Sequence, residues 1–154
     1  MMNIVFMILV VAIWIYPFPI LPIELTKRGV EANDVGYFFL IQTGFNALFG
    51  LAPIFLAKKI KARKLIIAAT VPIIMAVALM GPSSILGLGD SLIFTGLGLG
   101  ILGIFFNFVY SPFVKEFNDS VTEAYPWAKI PDKISLIYMA SRSIGYWLGP
   151  MLGS

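Results

Sequence analysis

The chain has 154 residues, 59% of them hydrophobic and only 12% charged, with a net charge of +3 and a mean hydropathy of +0.92. Soluble domains are ~45–50% apolar and ~25% charged, so too little charge is present to coat a water-facing globule, and the composition is that of a polytopic membrane protein. Cys and His are absent, which excludes disulfides, thiol nucleophiles, thiolate metal sites and the commonest metal ligand. The positive charge has a topological explanation and does not point to nucleic acid.

Five apolar segments, at about 4–25, 35–57, 65–86, 91–114 and 134–154, each approach the ~20 residues that cross a bilayer. In lipid each must satisfy its own backbone, so each is expected to be a helix, giving an all-α bundle of five spans. The first segment lacks a basic leader, is too long for a signal peptide and is interrupted by Pro17, Pro19 and Pro22. The third and fourth are separated by Gly81-Pro82-Ser83-Ser84 and Gly87-Leu88-Gly89-Asp90, a turn-rich stretch without Lys or Arg. Lys58, Lys59, Lys61, Arg63 and Lys64 crowd the second connection, and Lys115, Lys129 and Lys133 the fourth, whereas the first has Lys27 and Arg28. The positive-inside rule then places the N-terminus and the loops at 58–64 and 115–133 in the cytoplasm. The dense basic run is an orientation anchor that also suits anionic headgroups. The abrupt apolar start and finish give the expectation of an incomplete bundle.

Arg142 stands out. Counted from Ile134 it lies about 12 Å into the last span, where a charge costs at least ~2.5 kcal/mol and by default marks a substrate, ion or partner site. Tyr138 and Tyr146 share its helix face at i−4 and i+4, and no acid occurs deep in any span. The competing reading is that its long side chain snorkels to the interface. Gln42 and Asn46 share a face of the second span, and Asn107 and Tyr110 project from the fourth. These polar groups either bond across helices or, with Arg142, line an aqueous cavity. Gly96, Gly100 and Gly103 make a small-residue stripe in the fourth span, and Gly145, Gly149, Pro150 and Gly153 another in the last. Both allow close helix approach, and Pro150 adds a kink. No nucleophile motif, paired carboxylate, metal cluster or cofactor signature accompanies them, so an enzyme is not expected.

The order of these features resembles the C-terminal half of a major facilitator superfamily transporter, nearest its vesicular amine and polyamine, drug:proton antiporter-like branch. The residues that carry the likeness are Leu25-Thr26-Lys27-Arg28-Gly29-Val30, the basic connector, Tyr110-Ser111-Pro112-Phe113 and the stretch Gly145 to Gly153. That last stretch matches the antiporter pattern G-x-x-x-G-P-x-x-G-G until Ser154 stands in place of the final glycine. The pattern belongs to the fifth helix with an echo in the eleventh, so which half this is stays open. The resemblance implies helices seven to eleven of twelve, a partner half outside this chain, and alternating-access transport of small organic solutes, with amines or polyamines exchanged for protons. Two departures stand against it: the basic connector lacks the family's Asp, and no embedded carboxylate matches the proton-coupling acids. A cation also fits poorly beside Arg142; an organic anion would suit it better. The alternatives are a non-transporting truncated fragment and a small scaffold that binds another membrane protein through Gly96 and Gly100.

Overall fold

The computed structural model describes residues 2–80, 91–124 and 131–152. Among these residues there are seven α-helices and no strand: α1 (Met2–Ile15), α2 (Pro17–Lys27), α3 (Ala32–Phe49), α4 (Ala52–Leu56), α5 (Ala62–Met80), α6 (Leu92–Ala124) and α7 (Pro131–Leu152). Four stretches are long and apolar enough to cross a membrane: Ile8–Lys27, Ala32–Leu56, Ala62–Met80 and Leu92–Ser120. The fifth expected span coincides with α7, which is helical but not among those four, and many of its side chains lie outside the described residues.

Prolines explain the breaks within the first two spans. Pro17 opens α2, where a missing N–H costs least. Pro22 removes an interior bond and bends the segment. Gly50, Leu51 and Pro53 likewise divide α3 from α4. At the end of α2, Gly29 takes φ 83°, a left-handed cap that glycine adopts without a side-chain clash, and the chain turns into α3.

Helix α6 is the axis of the bundle. Its buried residues Thr95, Leu99, Leu102, Phe106, Val109, Phe113 and Phe117 recur every three or four positions. Such a seam faces one neighbour after another along the whole helix. Leu65, Ala69, Ile73, Ala76 and Met80 form the matching seam of α5, and Leu99, Leu102 and Val109 join Leu21 and Leu25 in the main core. The apolar period runs past the expected end at 114, because Phe113 and Phe117 pack with Phe6, Ile66 and Tyr110. The stretch 115–124, expected as loop, is therefore helix: its polar residues end the apolar run without ending helical geometry.

Register sets the directions. Gly100 and Asn107 of α6 meet Phe45 and Asn46 of α3 in ascending order, so these helices are parallel. Val11 of α1 meets Gly145 of α7. Trp14 and Phe6 of α1 meet Phe106 and Phe113 of α6 in descending order, which makes that pair antiparallel. The outer surface is strongly apolar: Leu48 and Trp147 are each 77% exposed and Ile93 is 73% exposed.

Candidate functional site

A cavity of about 220 Å³ opens between the α1/α7 pair and the α3/α6 pair, lined by Val11, Trp14, Asn46, Phe106, Tyr110, Arg142 and Tyr146. Arg142 sits eleven residues into α7, ~16 Å from its start, and Asn46 and Phe106 each sit fourteen residues, ~21 Å, into helices that enter from the opposite end. A membrane is ~40–45 Å thick with its headgroups, so the cavity lies near mid-depth of the bundle.

Arg142 Nη2 donates to the Tyr146 hydroxyl at 2.8 Å, and its Cζ lies 5.3 Å from the Tyr146 ring centroid. Tyr110 also interacts with the guanidinium from α6. No carboxylate among the described residues pairs with it. One wall is a ladder of rings. Trp14 stacks on Phe106 with centroids 4.2 Å apart, and Phe106 stacks on Tyr110 at 5.2 Å. The site is thus a small, half-open, aromatic-walled pocket bordered by one exposed cation.

Four of the seven residues suggested by sequence line it: Arg142, Asn46, Tyr110 and Tyr146. Two others lie outside the lining and brace its walls. Gln42, fully buried, points its Nε2 at the Trp14 carbonyl across a long 3.5 Å contact. Asn107 Nδ2 donates to the Asn46 carbonyl at 3.2 Å, while Asn46 Nδ2 donates to the Gly103 carbonyl at 3.4 Å. The side chain of Tyr138 lies outside the described residues. Val11, Trp14 and Phe106 were not singled out from sequence, because a lone apolar or aromatic residue in a span reads as ordinary lipid-facing or core material.

The glycines divide by geometry. A Cβ on Gly103 would run into the Gln42 carbonyl, one on Gly145 would lie 2.7 Å from Val11 Cβ, and one on Gly98 2.7 Å from the Ala76 carbonyl. Gly100 would meet the Phe45 ring at 3.4 Å and Ile41 Cγ2 at 3.7 Å, and Gly96 only the end of Ile41 at 3.8 Å. Gly149 and Pro150 fall within α7, but their surroundings, like Gly153, lie outside the described residues.

In the basic connector Lys58, Lys59, Lys61, Arg63 and Lys64 are all exposed. Arg63 Nε donates to Glu116 Oε1 at 2.9 Å, which ties the connector to α6. Lys58 and Lys115 border a separate groove with Ile54 and Ser111. At the opposite end Arg28 Nη1 donates to the buried Thr95 hydroxyl at 3.2 Å. No group of three potential metal-ligating side chains occurs among the described residues.

No family model, curated protein or solved structure matches this chain.

Proposed function

We propose that the chain is a lobe of a secondary transporter that moves small organic solutes across a membrane by alternating access, with no catalytic role. The observation that carries this reading is the polar, half-open pocket at mid-depth bordered by the exposed Arg142, in a bundle whose outer surface is apolar. A charge placed there in lipid is costly and is retained where it meets a ligand or pathway. Carrier sites lie at such depths between helix groups that rock against each other. Here α1 and α7 form one packed pair and α3, α5 and α6 another group. A shift between the two would open or close the pocket. By the resemblance in sequence, a second lobe outside this chain completes the path, and protons are the exchanged ion. An amine substrate belongs to the same resemblance, but the guanidinium repels cations. The scaffold alternative is disfavoured by a specific contact: the Gly100 face it requires is occupied by Ile41 and Phe45 of α3.

The test is flux in membrane vesicles from cells that produce the protein, comparing the wild type with Arg142→Gln at equal membrane content. The carrier reading expects at least one small organic solute whose flux falls tenfold or more in the variant. Identical fluxes across the whole solute panel would overturn it.

A further inference from the structure

We propose that the ligand of the Arg142 pocket is a small aromatic carboxylate, a single ring bearing one acidic group, held by its charge on the guanidinium and by its ring against the Trp14–Phe106–Tyr110 ladder. This rests on the carrier reading and gives it a substrate class.

Three observations converge. First, the pocket carries one positive charge, and no acidic side chain among the described residues offsets it. A guanidinium has five N–H donors, and because Arg142 is exposed those not directed at Tyr146 and Tyr110 are open to solvent or to a ligand. A carboxylate matches that planar fork in two-point geometry and balances its single charge, whereas a phosphate makes the same two-point contact but brings about −1.5 to −2, and a neutral solute brings no charge. Second, one wall is three successive rings from two helices, with centroids 4.2 and 5.2 Å apart. Such a ladder offers its edges and faces to a further ring at the spacing that aromatic pairs prefer. A flexible aliphatic acid would gain contact there but no such directional packing. Third, the half-open cavity has a volume of about 220 Å³, below the ~300–1,000 Å³ typical of drug-sized ligands. One ring and its acid match that volume. Asn46, whose amide also borders the cavity, supplies a neutral hydrogen-bonding group for a ring substituent.

The experiment is equilibrium dialysis of the purified full chain in nanodiscs against phenylacetate, acetate and benzylamine, with phenyl phosphate as a further arm. Phenylacetate is expected to bind at least tenfold more tightly than each of the other three. Arg142→Gln should weaken phenylacetate tenfold or more, and Trp14→Leu should weaken phenylacetate while leaving acetate unchanged. Thermal melts of the unliganded variants establish that both are folded. Equal or tighter binding of benzylamine, equal binding of acetate, tighter binding of phenyl phosphate, or undiminished phenylacetate binding in Arg142→Gln would each overturn the proposal, as would no binding of phenylacetate. Failure of the two readings is distinguishable. Arg142-dependent flux of some other solute without phenylacetate binding removes the aromatic acid and keeps the carrier. Phenylacetate binding with Arg142-independent fluxes does the reverse.

Discussion

A methyl group at position 103 has nowhere to go, because the Gln42 backbone occupies the space and the Phe45 Cβ lies 3.2 Å from where the methyl would sit. The obstacle is main chain, so the helices must part, and overpacking of this kind costs ~1–3 kcal/mol. Gly103→Ala is therefore expected to lower the melting temperature of the purified protein by ~2–12 °C, using the usual ~2–4 °C per kcal/mol for a chain of this size. Gly96→Ala adds the same methyl one face away, where the nearest atom is the mobile end of Ile41. It should leave the melting temperature unchanged or raise it slightly, since Ala is a better helix former by ~1 kcal/mol. Equal losses at the two sites would contradict the packing. Gln42 makes a different point. It is completely buried, its single contact is long, and Oε1 has no partner. A buried polar group so poorly satisfied contributes little net stability, so Gln42→Met should change stability by less than ~1 kcal/mol. A larger loss in a chemical melt would mean that the amide holds the Trp14 carbonyl more firmly than the geometry indicates.

Between helices, two amide bonds join α3 to α6 where Gly103 lets them close: Asn46 Nδ2 donates to the Gly103 carbonyl and Asn107 Nδ2 to the Asn46 carbonyl. Such bonds in bundles of this kind average ~0.6 kcal/mol, with a maximum of ~1.7. Asn46→Leu and Asn107→Leu should each cost an amount within that range, and a double-mutant cycle should return a coupling near zero, because each side chain bonds a backbone carbonyl that the other substitution leaves in place; a large coupling would mean that the two amides act as one unit. How far sequence reaches is visible in these same elements. The four apolar stretches could be read directly, because about twenty greasy residues in a row have few other homes. The polar residues Asn46, Asn107 and Arg142 could also be marked, because each is conspicuous within an apolar stretch of sequence. Which of them meets which could not, since that depends on the rotation of each helix about its axis. Gly96 and Gly100 share the spacing of a contact motif, yet the tightest approaches occur at Gly98, Gly103 and Gly145, and spacing alone does not tell which face is pressed. The extension of α6 to Ala124 was hidden for another reason. Charge marks where an apolar run stops, whereas Phe113 and Phe117 show that packing continues beyond it.

For the molecule as a whole, the helix directions and the charge distribution are separate constraints that lead to one arrangement. Parallel pairing of α3 with α6 and of α1 with α7, and antiparallel pairing of α1 with α6, put residues 58–64 and the end of α6 at one end of the bundle. The Arg63–Glu116 contact joins them there. The start of α3 lies at the other end. Basic residues are retained on the cytoplasmic side during insertion, so the end bearing the connector should face the cytosol. Because the chain has no Cys, single cysteines can report this against a silent background. Lys61→Cys and Asp119→Cys replace exposed side chains at the basic end, and Asn33→Cys replaces one at the opposite end. A membrane-impermeant maleimide applied to intact cells should label position 33 alone; applied to inside-out vesicles it should label 61 and 119 and spare 33. The pair 61 and 119 is the sharper part of the test, because it depends on α6 continuing through the membrane to the same side as the connector. Labelling of 61 and 119 from opposite sides would break the helix register on which the pocket is built, whereas reversal of all three would leave the bundle intact and overturn only its orientation.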